Sequence, residues 1–225
     1  RMSGFVKEVP LPELAALAER HGLPVIEDLG SGSLLRLDGH GLPGEPTAAE
    51  AIAQGADVVT FSGDKVLGGP QAGLIVGRRE IIERIKKNQL NRALRIDKLT
   101  LAALEATLRL YLDPERARQH VPTLAMMTRG QVSLRAQAAR LAGLLRRRLS
   151  DCLEIGVRPG ASRGGGGAFP EADLPTALVR LKPRDMAVEA LREALLATDP
   201  PLVGRVEDDA FCLDPRTLDP REHPL

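Results

Sequence analysis

The sequence predicts an α/β fold with a mainly parallel sheet, followed by a smaller α+β domain. In the first half, short apolar segments typical of strands alternate with helical segments, the pattern of a parallel, doubly wound sheet. In the second half, one long helical segment precedes several segments typical of strands. We therefore expect two domains, residues 1–121 and 122–225, with the long helix as the bridge between them.

The composition narrows the possible functions. Apolar residues make up 43% of the chain and charged residues 27%, and the formal net charge of +1 gives no overall basic field for nucleic acid. Aromatic residues are only 2%, which argues against a surface for base stacking. The two cysteines and four histidines lack disulfide or metal-ligand spacing, so we expect no metal site and a reducing, cytoplasmic location. No apolar run approaches the roughly eighteen residues of a membrane span.

Apolar spacing and turn residues define the elements of the first half. Gly22 follows a helical segment as its C-cap, and Thr47–Glu50 matches a capping box that begins another helix. The predicted elements, in order, are a helix at 12–20, a strand at 23–26, a helix from 47 to 55, strands at 57–61 and 73–77, and helices at 79–87 and 99–112.

The second half is predicted to begin with a helix over about residues 124–149, which is rich in Ala, Leu and Arg. Strands at 153–157 and 176–181 flank the glycine-rich loop Gly164–Gly167, and a helix at 184–197 precedes strands at 202–206 and 210–213. The last dozen residues contain three prolines and no periodicity, which predicts an unstructured end.

Lys65 differs from the other five lysines in its surroundings. It follows an almost purely apolar strand and precedes a segment rich in glycine, Val66–Gly73. The carboxyl end of a buried strand is where α/β sheets form their ligand crevices. Partial desolvation there favours an unprotonated amine, which can form a Schiff base with pyridoxal phosphate (PLP). A surface lysine beside an ordinary turn fits this segment about equally well.

Asp28 strengthens the PLP interpretation. It also ends a predicted buried strand and is followed by a Gly/Ser turn. PLP enzymes need a carboxylate that keeps the pyridine nitrogen protonated, so that the ring can accept electrons. Ser62, three residues before Lys65, could donate its hydroxyl to the cofactor phosphate. The competing interpretations are a capping or turn aspartate and a turn serine.

The segments Asp28–Ser33 and Thr60–Gly73 resemble those of the bacterial L-seryl-tRNA(Sec) selenium transferases, or selenocysteine synthases, which are fold-type-I PLP enzymes. The resemblance continues through Arg92–Thr100, Ala103–Leu108 and Pro201–Val206, and fades after about Asp214. It implies part of a PLP-transferase-like large domain plus a smaller α+β domain. It also identifies the chain as the carboxy-terminal part of a longer enzyme.

The resemblance assigns roles to individual residues. It implies that Lys65 holds PLP as a Schiff base, that Asp28 faces the pyridine nitrogen and that Ser62 lies near the phosphate. Arg92 and Arg95 fall where the family binds selenophosphate, and two guanidiniums three residues apart can bind phosphate oxygens. The implied reaction converts seryl-tRNA(Sec) to selenocysteinyl-tRNA(Sec) through an aminoacrylyl intermediate. The implied assembly is a homo-oligomer, a ring of dimers, without a membrane.

Two other interpretations remain open. The first is a related PLP lyase that acts on a small amino acid or amino sugar without tRNA; it would use the same Lys65 and Asp28 but not the Arg92/Arg95 pair. The second is a non-catalytic assembly fragment, in which arginines of the long helix form an interaction surface. Such a run more often forms a solvated face. The arginines concerned are Arg129, Arg135, Arg140, Arg146, Arg147 and Arg148.

Overall fold

The computed structural model describes residues 7, 9–42, 44–165, 169 and 172–219. Its contacts divide the chain into two compact units, one of Arg1–Ala125 with Gly165–Pro170 and the other of Met126–Gly164 with Glu171–Leu225. The predicted domain division between residues 121 and 122 stays a prediction. Within the described residues, no helix combines the length and the apolar character needed to cross a membrane.

The first unit alternates helices and strands before it becomes wholly helical. Its elements are α1 (Leu11–Arg20), β1 (Ile26–Gly30), a 3₁₀ turn (Asp38–His40), α2 (Ala48–Ala53), β2 (Val58–Ser62), β3 (Gly73–Gly77), α3 (Arg79–Lys87), α4 (Gln89–Leu94), α5 (Lys98–Leu110) and α6 (Pro114–His120). A further helix, α7 (Pro122–Met127), crosses the boundary between the two units.

Local capping explains where the predicted helices begin and end. The Thr47 hydroxyl accepts a hydrogen bond from the Glu50 amide while the Glu50 carboxylate accepts one from the Thr47 amide, which is the predicted capping box. Gly22, with φ +62°, ends α1 in the left-handed conformation, and the Leu23 amide donates to the Ala18 carbonyl. Strand β1 therefore starts at Ile26 rather than at Leu23 as predicted, because Leu23 belongs to the helix cap and Pro24 has no amide hydrogen to donate.

The three strands form one sheet in the order β1-β2-β3. Strands β1 and β2 are parallel, as predicted, because α2 lies in the connection between them. Strand β3 is antiparallel to β2, so the sheet of this chain is mixed. A parallel pairing would require a crossover connection, usually a helix, and the segment between β2 and β3 contains no helix. The chain therefore reverses direction, and β3 pairs with β2 in antiparallel orientation.

One face of this sheet is covered by α2. Phe61 and Val59 of β2 are buried there against Ala48 and Ala51 of the helix. Side chains alternate along a strand, so Thr60 and Ser62 project from the opposite face. Both of those residues are half-buried, which leaves polar side chains accessible on that face of the sheet.

The second unit is an antiparallel sheet packed against helices, as predicted for an α+β domain. Its elements are α8 (Gln131–Leu149), β4 (Leu153–Arg163), β5 (Asp173–Pro183), α9 (Val188–Leu196), β6 (Arg205–Glu207) and β7 (Ala210–Leu213). The strand order is β4-β5-β7-β6. A core cluster that includes Ala138 and Ala142 of α8, Val179 of β5, Leu191 of α9 and Phe211 of β7 holds these elements together.

Strand β4 runs to Arg163, although the prediction ended it at Val157. It pairs with β5 along its whole length, including Pro159 opposite Ala177. Proline is tolerated there because β4 is an edge strand, where one side of the backbone needs no partner. Of the predicted glycine-rich loop Gly164–Gly167, residues 166 and 167 lie outside the described residues.

The predicted long helix is broken. α7 ends at Met127 and α8 begins at Gln131, with Gly130 as its N-cap. Five of the six arginines predicted to mark an interaction surface lie on α8, and all five are exposed: Arg135, Arg140, Arg146, Arg147 and Arg148. Arg129 lies in the break instead, where its guanidinium donates to the carbonyls of Pro215 and Leu218. The assembly role of the arginines stays a prediction.

Arg216 explains both the helix break and an error in the predicted chain end. Its side chain is only 5% exposed, although the last dozen residues were predicted to be unstructured. The guanidinium donates to the Met126 carbonyl at 2.8 Å, to the Pro175 carbonyl at 2.7 Å and to the Ser162 hydroxyl at 2.9 Å. Asp214 accepts from Ser162 in turn, so residues 214–218 are fastened to the sheet and to the end of α7.

We expect Arg216→Ala to lower the free energy of unfolding by about 3 kcal/mol, because it removes a buried cation and leaves its acceptors without a donor. Denaturation by urea, followed by circular dichroism, measures this loss. Arg163→Ala is the matched control, since Arg163 is exposed and, within the described residues, pairs only with Asp173 at the surface. That control should change stability by less than about 0.5 kcal/mol. Equal losses in the two variants would contradict the role given to Arg216.

Candidate active site

The carboxyl ends of β1 and β2 form one edge of the sheet in the first unit. The strands are parallel, with Asp28 opposite Thr60, so the segments that follow both strands emerge on the same side. Lys65 lies in the turn that follows β2, three residues beyond Ser62. Its side chain is half-buried. The edge predicted from sequence as a ligand crevice therefore carries both candidate catalytic segments.

The two segments are in direct contact. The Val66 amide donates to the Ser31 carbonyl at 3.0 Å, which ties the residue after Lys65 to the turn after Asp28. Gly32 has φ +73°, and a Cβ atom there would overlap the Ser62 carbonyl oxygen. Only glycine allows this approach without displacing β2. The glycines of the predicted turn thus serve to bring the lysine and aspartate segments together.

The turn that carries Lys65 is held from several sides. The Gly63 amide donates to the Ala72 carbonyl at 2.8 Å, and the Gly69 amide donates to the Gly63 carbonyl at 2.8 Å. From α5, the Tyr111 hydroxyl donates to the Leu67 carbonyl at 2.8 Å. Burial raises the pKa of Tyr111 above its ordinary value, so this donor stays protonated in the folded protein.

Asp28 is exposed on the open face of the sheet. Its Oδ1 atom accepts a hydrogen bond of 3.0 Å from the hydroxyl of Thr60, which is its neighbour across the strand pair. The register of β1 shifts directly after Asp28, since Gly30 rather than Leu29 lies opposite Phe61. Irregularities of this kind bend a strand and re-aim its side chains, and they are frequent beside active sites.

An open cavity of about 1270 Å³ lies against this face of the sheet. Asp28 and Ser62 line it from the strands, and Arg95 and Lys98 line it from the junction of α4 and α5. The structure therefore brings together three of the residues predicted from sequence. Lys65 and Arg92 are not among the lining residues, although Lys65 is tied to the same edge.

The two arginines occupy different positions relative to α4, and of the two only Arg95 lines the cavity. Arg92 lies inside the helix and Arg95 is its C-cap residue, and both are exposed. Asn88 caps this short helix, which was not among the predicted elements. Its side chain accepts a hydrogen bond from the Leu90 amide, a signal that the sequence did contain.

Three residues of the site were missed by the sequence analysis. Thr60 contacts Asp28, and Lys98 lines the cavity. The Ser31 hydroxyl is buried and has no hydrogen-bond partner within the described part of the chain. Strand alternation could have indicated Thr60, because it lies between two apolar residues that face the other way. Among the described residues, no group of His, Cys, Asp or Glu could hold a metal ion.

Comparison with known proteins identifies close relatives. The family model of L-seryl-tRNA selenium transferase matches residues 1–219. The chain is 65% identical over 219 residues to the L-seryl-tRNA(Sec) selenium transferase of Nitratidesulfovibrio vulgaris strain Hildenborough, covering 97% of this chain and 47% of that protein. It is 49% identical over 222 residues to that of Moorella thermoacetica, covering 99% and 47%. The chain spans about half the length of the curated relatives it matches.

A solved structure shows the same fold. D-Glucosaminate-6-phosphate ammonia-lyase superposes with a TM-score of 0.53 at 18% sequence identity, covering 99% of this chain and 52% of that chain. At this identity the likeness concerns the fold alone, and it confirms the predicted fold class.

Tyr111→Phe tests the anchor of the lysine turn. Below the ordinary tyrosine pKa of 10.0, we expect the variant to be about 1 kcal/mol less stable, because the Leu67 carbonyl loses its donor. Burial raises the pKa of Tyr111, so the unfolded chain loses this proton first as the pH increases. The stability of the wild type should therefore fall above about pH 10 towards that of the variant.

Urea unfolding of both proteins across that pH range measures the difference in stability. Tyr111 is the only tyrosine of the chain and Trp is absent, so ultraviolet absorbance also follows its ionisation directly. A difference in stability that does not change with pH, or ionisation of the folded protein near pH 10, would show that the hydroxyl is not buried.

Proposed function

The chain belongs to the L-seryl-tRNA selenium transferase family, and on that premise we propose that it forms part of a PLP-dependent enzyme that converts seryl-tRNA(Sec) to selenocysteinyl-tRNA(Sec) with selenophosphate as the selenium donor. The family match supports the reaction. The observation that carries the site is the contact between the Lys65 turn and the Asp28 turn at the carboxyl edge of β1 and β2.

The residues at this edge fit PLP. Asp28 offers a carboxylate to the pyridine nitrogen, and Lys65 offers an amine from a half-buried turn. The hydroxyl of Ser62, and that of Ser31, which has no hydrogen-bond partner among the described residues, can donate to the phosphate or to the ring oxygen. When bound, PLP supplies an electron sink for the charge that remains after a proton leaves the substrate Cα.

The residues of this chain have separate proposed roles in the reaction. Lys65 would hold the cofactor through Nζ, and as a free amine it would take the proton from Cα of the seryl group. Asp28 keeps the pyridine nitrogen protonated. Arg95, at the rim of the cavity that Asp28 lines, binds the selenophosphate anion. Arg92 belongs to the same proposed anion site, although it does not line the cavity.

We assign the activity to the whole protein rather than to this chain alone, because the chain spans about half the length of its relatives. Both cysteines are free, in keeping with the cytoplasm as the proposed location. The proposed assembly is a homo-oligomer, a ring of dimers. The likeness to an ammonia-lyase concerns the fold alone, so it does not favour the alternative of a lyase that acts without tRNA.

Lys65→Ala in the full-length protein should abolish the visible absorbance that PLP acquires when it bonds to a lysine. The reason is that, among the described residues, Lys65 is the lysine carried by the turn that follows β2. A spectroscopic titration with PLP measures the change. Lys87→Ala is the matched control, since Lys87 is exposed at the end of α3 and should leave the spectrum unchanged. Persistence of the absorbance in Lys65→Ala would show that another lysine holds the cofactor.

Arg95→Ala should slow selenium transfer by roughly 10- to 100-fold, the effect of one lost hydrogen bond between charged groups. It should spare the preceding loss of the serine hydroxyl, because that step needs no donor. Arg92→Ala is the comparison within the same helix, and we expect a smaller effect because Arg92 does not line the cavity.

Single-turnover assays that separate the loss of the hydroxyl from the addition of selenium measure both steps. Equal impairment of the two steps in Arg95→Ala would count against a donor site. A larger effect at Arg92 than at Arg95 would show that the cavity is not where the donor binds.

A further inference from the structure

Thr60 is the polar side chain nearest to Asp28 along the sheet. The two residues lie opposite each other in the parallel pairing of β1 and β2, on the same face. The Thr60 hydroxyl donates to Asp28 Oδ1 at 3.0 Å, and both side chains line the cavity. This bond engages one oxygen of the carboxylate, while no hydrogen bond to Oδ2 occurs within the described residues.

Thr60 is well fixed as a donor. It lies in the central strand of the sheet, paired with Asp28 of β1 on one side and with Ile75 of β3 on the other. A paired strand on each side restrains its backbone, and a β-branched side chain has few rotamers at χ1. The position of its hydroxyl therefore follows from the sheet itself.

Asp28 lacks such support of its own. Within the described residues it lies on a strand with a partner on one side only, it is exposed there, and the register of that strand shifts directly after it. Without a neighbour that holds it, an aspartate side chain in this setting can rotate between several orientations. The bond from Thr60 is the hydrogen bond that limits this rotation in the described part of the chain.

We propose that Thr60 is a positioning residue for the cofactor: its hydroxyl holds Asp28 Oδ1 so that Oδ2 is presented to the pyridine nitrogen. The inference rests on the proposed function, since it gives Asp28 the ring nitrogen as its partner. Because Asp28 is already held before PLP binds, less conformational entropy of its side chain is lost on binding. We therefore predict that the bond from Thr60 increases the affinity for PLP.

The test uses the full-length protein and measures PLP affinity by spectroscopic titration. Thr60→Val keeps the volume and the β-branch but removes the hydroxyl, and we expect PLP to bind about tenfold more weakly, the typical effect of one hydrogen bond to a charged group. Thr60→Ser keeps the hydroxyl and should bind PLP within about twofold of the wild type. Thr107→Val is the matched control, because in the described part of the chain the Thr107 hydroxyl donates only to the Ala103 carbonyl within its own helix.

Two further measurements separate positioning from a general loss of structure. The melting temperature of the PLP-free protein should be the same in Thr60→Val and Thr60→Ser. In an Asp28→Ala background, Thr60→Val should have no further effect on PLP affinity, because the residue through which Thr60 acts is gone.

The outcomes distinguish this proposal from the one on which it rests. If the wild type shows no Lys65-dependent absorbance with PLP, the proposed function fails and this inference fails with it. If that absorbance is present but Thr60→Val binds PLP as tightly as the wild type, only the role of Thr60 is overturned. An equal loss in Thr60→Ser, or an undiminished effect of Thr60→Val in Asp28→Ala, also overturns it.

Discussion

The parallel pairing of β1 and β2 is the constraint on which the candidate site depends. It brings the carboxyl ends of two strands to one edge, although the residues they carry are distant in sequence. The bond from the Val66 amide to the Ser31 carbonyl then fixes the two following turns against each other. A shift of one residue in this register would turn the Asp28 side chain to the opposite face of the sheet and away from the cavity.

The antiparallel return of β3 adds a second constraint. Because β3 pairs with β2 from Ser62 opposite Gly73 onwards, the chain between these residues must fold into a compact turn at the edge. That turn contains Lys65, and Tyr111 holds it from outside the sheet. The lysine is therefore carried by a segment closed at both ends, whereas Asp28 lies on the strand itself. These different supports suit the roles that we propose for the two residues, in which Lys65 moves a proton and Asp28 stays in place.

The sequence predicted those parts of the fold that local chemistry determines. Strand β3 and helix α3 were predicted with their observed bounds, because glycines and charged residues mark their ends. The errors arose where a distant residue decides the local structure. Gly130, a poor helix former, was a local signal for the helix break. No local pattern, however, indicates that Arg216 will bind the Met126 carbonyl at the end of α7. From the sequence alone, Arg216 is expected to lie at the surface, because an arginine is buried only where the fold supplies partners for its guanidinium.

The same distinction applies to the site. Asp28 and Lys65 could be predicted because each ends or follows an apolar strand, which is a local pattern. Thr60 could not be assigned to Asp28, because their contact requires the register of two strands. Its role also follows from an asymmetry that the sheet imposes. In the described part of the chain, β2 has a paired strand on each side and β1 has one, which supports the proposal that Thr60 orients Asp28.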